Sequence, residues 1–148
     1  MSYTPVILTS AADYDQVRTY IGITSADLSD DALVGEAFLG KAETFITDEI
    51  ARQSANSVPG VAAILATTPP AVAKDKTYLK SAVICYIAHM FAVGMTSAVN
   101  TAVNDGSQGI DLGGIGSQWR DMRRVALEDC NSSLRSITNW KRWRKLSD

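Results

Sequence analysis

From Lys80 to Val99 the chain reads KSAVICYIAHMFAVGMTSAV, its longest apolar run, and the spacing inside it is helical. Leu79, Val83, Tyr86, Ile87, Met90, Phe91, Gly94 and Met95 recur at intervals of three and four, while Ala82, Ala88, Ala92 and Ala98 make the other faces nearly as apolar. A helix apolar almost all round must be covered on several sides, by other helices or by lipid. A bilayer span needs roughly 20 apolar residues with no charge to hide. Here His89, Thr96, Ser97 and Asn100 interrupt the run, and Lys74, Asp75, Lys76 and Lys80 crowd its start. The expectation is a core helix of a soluble helical domain, with no membrane contact.

A chain of 148 residues fits one domain and buries roughly two thirds of its unfolded surface. Apolar residues make up 46% and charged residues 20%, which excludes wholesale disorder. The charge is unevenly placed. Up to Ser117 there are six basic and twelve acidic residues, and from Gln118 onward eight basic and four acidic, so a net −2 divides into −6 and +4. Such asymmetry favours contacts between molecules. Cys85 and Cys130 fall on different expected helices without CxxC spacing, and the opening MSYTP lacks a secretory pattern, so both thiols are expected free, buried and reduced.

In chain order, residues 1–9 read as an extended arm, Pro5 disfavouring helix there. Thr9 or Ser10 caps a helix over 10–21, with Asp13 in its first turn, Gly22 past its end, and Tyr14, Val17, Tyr20 and Ile21 as its apolar face. Ser29 caps a second helix over 30–52, with Leu33, Ala37, Phe38, Ala42, Phe45, Ile46 and Ile50 inward and Glu36, Glu43, Asp48 and Glu49 on its solvated side. Gly35 and Gly40 each weaken it by about 1 kcal/mol unless a close neighbour needs the space. The segment 53–70 reads as a loop, at most two helical turns in VAAILATT, and a stop at Pro69-Pro70.

The central helix is expected over 76–99. After it, NTAVNDGSQGIDLGGIGS holds five glycines in eleven residues and reads as a mobile loop, with a short strand at best from Ile110 to Leu112. Ser117 is expected to cap a last helix over 117–137, its inward face Trp119, Met122, Val125, Ala126, Cys130, Leu134 and Ile137. The fold class is therefore all-α. It is a small bundle of about four main helices around a central apolar one, with a long Gly-rich loop and an extended C-terminal tail. The domain spans 1–137 and the tail 138–148.

Catalytic chemistry finds little support. Gly114 and Gly116 begin a GxGxxG pattern, but Trp119 takes the third glycine position and no GK[ST] occurs. GGIGSQ resembles one calcium-binding nonapeptide but has Gln118 for its aspartate and no second copy. His89 is the sole histidine, which rules out a zinc site of several imidazoles. With Cys85 one turn away it forms the only nucleophile and base pairing, in what should be core. No enzyme activity, cofactor or metal is expected. In the tail, Trp140 and Trp143 alternate with Lys141, Arg142, Arg144 and Lys145. That pattern suits a partner protein's pocket, stacking on nucleic acid, an anionic membrane surface or packing on the chain's own helices, and protein contact, within or between chains, is the expectation.

The order of these elements resembles the head–tail connector, or adaptor, proteins of tailed bacteriophages. A helix ending in YIGIT, the acidic SDDALVGEAFLGKAETFITDEI, the apolar KSAVICYIAHMFAVG, a glycine-rich loop and a final helix carry the resemblance over roughly residues 14 to 137. It implies a helical subunit in a homo-oligomeric ring of about twelve copies, set between the portal protein and the tail, stopper or another neck protein. Genomic DNA would pass through the channel without sequence-specific binding. The location would be the virion neck, and the host cytoplasm during assembly. In a connector, Asp105, Gly106, Gly109, Ile110, Leu112, Gly113 and Gly114 would form an assembly loop; the charge count and the tryptophan spacing, rather than the resemblance, make Trp140 to Lys145 the expected contact with a partner. The chain departs from the family's pattern at 53–70 and in its tail. The alternative is a nucleic-acid-binding helical module acting through the basic aromatic tail.

Overall fold

A computed structural model describes residues 3–54, 60–66, 70–104 and 112–137. Among them every regular element is helical: α1 (Ala11–Ile21), α2 (Asp30–Val34), α3 (Lys41–Ser54), α4 (Val61–Ala66), α5 (Pro70–Asn104) and α6 (Leu112–Ser136). A π-helical turn, Glu36–Gly40, leads into α3.

The expected central helix is α5, longer than the apolar run at both ends. Pro70 opens it, because proline's fixed φ and missing N–H suit the first helical position. By length and composition its segment Lys74–Ser97 could cross a membrane, and half of its apolar window is buried within the fold. Leu79, Ala82, Val83, Ile87, Ala88 and Ala92 are fully buried, and α1, α3, α4, the π-helical turn and α6 all pack on this one helix. A stack of rings ties the layers. Phe45 lies flat on Tyr86 with centroids 4.4 Å apart, and Phe91 meets Phe38 at 6.2 Å and Trp119 at 5.6 Å.

α1 forms where its caps predict. The Ser10 side chain accepts from the Asp13 amide, Asp13 accepts from the Ser10 amide, and Gly22 ends the helix at φ 84°. Such a reciprocal cap is worth about 1 kcal/mol. The turn after it is held by Arg18, whose Nε donates to the Leu28 carbonyl at 2.8 Å while its other nitrogens pair with Asp15 and Asp30.

Several expectations fail, and Ala37, placed on the inward face of the second helix, is exposed. The second helix is not continuous over 30–52: Gly35 is extended (φ −61°, ψ 163°) and the π-helical turn follows. Within that turn, a Cβ added at Gly40 would sit 3.2 Å from the ring of Tyr3, so the bare glycine leaves room for the N-terminal arm. Two carboxylates assigned to solvent, Glu43 and Glu49, are buried, whereas Glu36 and Asp48 are exposed. Val125, placed on the inward face of the last helix, is 39% exposed, because the buried seam runs through Ala126, Cys130, Leu134 and Ile137. The glycine-rich loop is shorter than 100–116, since α5 runs to Asn104 and α6 begins at Leu112. Leu112, the last residue of the expected strand, and Ser117, the expected cap, are both helical, while Ile110 and Asp111 lie outside the described residues. Ile115, Trp119 and Met122 keep helical spacing through the glycines, and antiparallel packing of α6 on α5 outweighs their cost of about 1 kcal/mol each.

The arm is fixed by Glu43, which is 2% exposed. Its carboxylate accepts from the amides of Val6 (2.8 Å), Ile7 (2.9 Å) and Leu8 (2.8 Å) and from the Tyr3 hydroxyl (2.5 Å). Four donors converge on two oxygens, so the buried charge is fully compensated. Burial, and then the bond to Glu43, push the Tyr3 hydroxyl well above the usual phenol range. Ile7 and Leu8 are driven into the core behind this anchor.

Glu43→Ala should strip the arm from α3, and Glu43→Gln should do nearly as much, because its amide nitrogen would face donors. The expected loss is about 3 kcal/mol in denaturant unfolding. Hydrogen exchange at Val6, Ile7 and Leu8 should rise in both variants, and unchanged protection would refute the anchor.

Candidate functional site

Of the residues proposed from sequence, Trp140, Lys141, Arg142, Trp143, Arg144, Lys145, Asp105, Gly106, Gly109 and Ile110 lie outside the described residues. Leu112, Gly113 and Gly114 form the first turn of α6 and belong to a helix rather than a loop.

The Cys85 and His89 pair does not form a reacting centre. His89 is buried, and its Nδ1 donates to the Arg123 carbonyl across the α5–α6 seam at 3.0 Å, with the Tyr86 ring 5.9 Å away. That bond ties two helices and supplies the polar partner a core imidazole needs. Burial pushes the Cys85 thiol from 9.0 to about 11 and drives the Cys130 thiol higher still. A nucleophilic cysteine requires the opposite shift. Among the described residues no three His, Cys, Asp or Glu side chains gather to hold a metal ion.

The built feature is a polar cleft of about 660 Å³ between α1, α5 and α6. α1 contributes Asp13, Gln16 and Tyr20, α5 contributes Thr77, Lys80, Ser81, Ile84 and Cys85, and α6 contributes Asp129, Ser132 and Ser133. These positions recur at helical spacing, so α1 and α6 each turn polar side chains into the cleft, while α5 lines it with Thr77, Lys80 and Ser81 beside Ile84 and the Cys85 thiol, and Gln16, Thr77 and Ser132 stand exposed at its rim. One polar pair joins each pair of helices. Lys80 Nζ meets both Asp13 oxygens at 3.0 and 3.2 Å, the Tyr20 hydroxyl donates to Asp129, and Ser133 Oγ donates to Ser81 Oγ at 3.0 Å.

The electrostatics of the cleft follow from these pairs. Burial alone would raise the Asp13 carboxyl, but hydrogen bonds from Lys80 and Ser10 hold it below the usual value. Burial, then Asp129, raises the Tyr20 hydroxyl far above the phenol range, so it remains a donor. With Lys80 matched to Asp13, the charge left in the cleft is that of Asp129. Sequence reasoning took Tyr20 as apolar face and passed over Asp13, Lys80, Ser81, Asp129 and Ser133. Their signal was present, as polar residues at i, i+3, i+4 and i+7 beside an apolar seam, but it reads as solvated surface until the third helix is in place.

Both thiols should label slowly in the native protein, at the rate of unfolding. A cysteine whose folded pKa is raised contributes stability below the unfolded value that is lost as pH climbs through the folded one. Cys85 should therefore weaken the fold between about pH 9 and about 11, and Cys85→Ser should flatten that part of the pH–stability curve. Rapid labelling by a thiol reagent at pH 8 would refute the buried thiols.

No protein-family model matches the chain, and no curated protein or solved structure matches it.

Proposed function

We propose that the chain is a head–tail connector subunit, assembling as a ring of about twelve copies between a portal and the tail, stopper or another neck protein. The observation that carries the reading is a division of charge between helices packed on different faces of α5. The segment 30–54 holds six acidic and two basic residues, whereas 112–148 holds eight basic and four acidic ones. Exposed Asp30, Asp31, Glu36 and Asp48 stand on the α2–α3 side, and exposed Arg120, Arg124 and Arg135 on α6. A ring closes through head-to-tail contacts, in which one face of a subunit meets a different face of the next. Opposite charges on two faces suit that geometry and disfavour pairing of like faces.

The length of the α5–α6 hairpin is the second support. α5 has 35 residues, against 11 in α1 and 14 in α3. At 1.5 Å per residue it runs about 52 Å, more than twice what either neighbour can cover. Past Phe91, between 92 and 97, only Ala92 and Thr96 are buried. The distal hairpin thus has side surface available for a neighbouring subunit. In this reading the tail's tryptophans anchor the subunit to its partner and its cations orient the approach.

Analytical ultracentrifugation and electron microscopy of the chain, alone and mixed with the purified portal of the same phage, test the proposal. Rings, free or seated on the portal, are expected. Association should weaken with salt, because the meeting faces are charged. A chain that stays monomeric and leaves portal rings bare at low and high salt would overturn it. Steeply salt-dependent DNA or RNA binding by that monomer would point to a nucleic-acid module instead.

A further inference from the structure

We propose that Cys85 and Cys130, free thiols in the reduced chain, form a redox pair across the α5–α6 seam that closes into a disulfide when a small disulfide oxidant is supplied and so staples the hairpin. The inference is independent of the connector reading.

The first argument is register. α6 runs antiparallel to α5, and two side-chain contacts fix their alignment: Ser133 Oγ donates to Ser81 Oγ at 3.0 Å, and His89 Nδ1 meets the Arg123 carbonyl at 3.0 Å. Cys85 comes four residues after Ser81, and Cys130 three residues before Ser133. Each step is about one helical turn, and in antiparallel helices both steps run the same way along the pair. The two cysteines therefore stand opposite one another on the turn next to the serine contact, between it and the histidine contact. A cysteine carries its sulfur where a serine carries its oxygen, one atom beyond Cβ. A backbone spacing that lets two serine hydroxyls touch is close to the Cα separation of about 4.4–6.8 Å that a disulfide spans. Ala88, Ala92 and Ala126 are small and fully buried in the same seam, which keeps the helix axes close along this stretch.

The second argument is mutual influence. Burial, then charge on Cys85, raises the Cys130 thiol, and burial, then Cys130, raises the hydroxyl of Tyr86, the residue after Cys85. Groups that act on one another's ionisation in this way are near neighbours in the interior.

The third argument is access. Cys85 lines the cleft beside Tyr20 and Ser81, whereas Cys130 is fully buried, so a small disulfide entering the cleft meets Cys85 first. The Cys85 thiolate attacks one sulfur of the reagent, forming a mixed disulfide and expelling one reagent thiol, which carries away the Cys85 proton. The Cys130 thiolate then attacks the Cys85 sulfur, forming the internal bond and expelling the second reagent thiol with the Cys130 proton. The protein loses two hydrogens and two electrons, and one reagent disulfide becomes two thiols. Burial raises both thiols, so the exchange is slow at neutral pH, and its end point is set by how closely the fold holds the two sulfurs. The bond closes a loop containing α5 beyond Cys85, where between 92 and 97 only Ala92 and Thr96 are buried.

Equilibration of the full chain in glutathione buffers tests the pair, using an equal mixture of ¹⁵N-labelled and unlabelled protein, acid trapping and peptide mass spectrometry. Starting from both the reduced chain and the chain oxidised in urea fixes the end point despite slow exchange. The expected product joins the Cys85 and Cys130 peptides, with both carrying the same label. Fold and bond favour one another by the same factor. At fixed reduced glutathione the native chain should therefore close the bond at a level of oxidised glutathione about a hundredfold lower than the chain in concentrated urea requires, and oxidation should lower the unfolding constant about a hundredfold. Cys85→Ser and Cys130→Ser should each gain no stability in the same buffers, with the circular dichroism spectrum unchanged. A native chain that keeps both thiols free at ratios that oxidise the unfolded chain would overturn the proposal. Links between differently labelled peptides, or an oxidised chain less stable than the reduced one, would overturn it as well.

Discussion

The structure depends on the need to cover α5. A helix with apolar residues on every face cannot be satisfied by one neighbour, and burial at about 25 cal/mol per Å² is the largest favourable contribution available to it. Around α5 the chain therefore sets α6 along its length, α1 and α3 on other faces, and α4 and the π-helical turn in the remaining gaps. Each neighbour is short or amphipathic, so none would hold its helical form by propensity alone. Their order is derived from α5. The polar departure in this arrangement, the stripe of Lys80 and Ser81, falls where α1 and α6 meet the central helix, and there the cover stays incomplete.

What could be read from the sequence was whatever local chemistry decides. The Ser10 cap, the Gly22 stop, the apolar spacing of α5 and the buried state of both cysteines each follow from a few neighbouring residues, and all are present. What could not be read depends on residues distant in the chain. Glu43 sits among charged neighbours in a helical pattern that assigns it to solvent, and only the arrival of residues 3–8, some 35 to 40 positions earlier, turns it inward. Gly40 presents the same difficulty: its role is set by Tyr3. The glycines of α6 misled in the opposite direction, because their intrinsic preference points to a loop while packing on α5 sustains a helix. For the cleft, residue types were visible but convergence was not. No spacing rule brings Asp13, Lys80 and Asp129 to one place.

Glu43 also bears on how the domain is assembled. It joins the first residues of the chain to α3 through a charge that has left water, which is tolerable only because four donors replace the lost hydration. The contact is therefore close to all-or-none. Losing one donor strands part of a buried charge, so the arm is expected to hold or leave as a unit, taking Ile7 and Leu8 with it. The π-helical turn lies under Tyr3 and belongs to the same unit, since Gly40 is needed only while the ring is there.

The arm and the cleft are thereby governed by different physics. The arm is held by a carboxylate that is 2% exposed, and salt at ordinary strength hardly reaches such a contact. Across the cleft, Lys80 meets Asp13 with 29% of the lysine side chain exposed, an ion pair within reach of salt. A chain built this way keeps its arm closed under conditions that loosen the α1–α5 pair. The two contacts are separate, because the carboxylate that holds the arm lies on α3 while the ion pair joins α1 to α5.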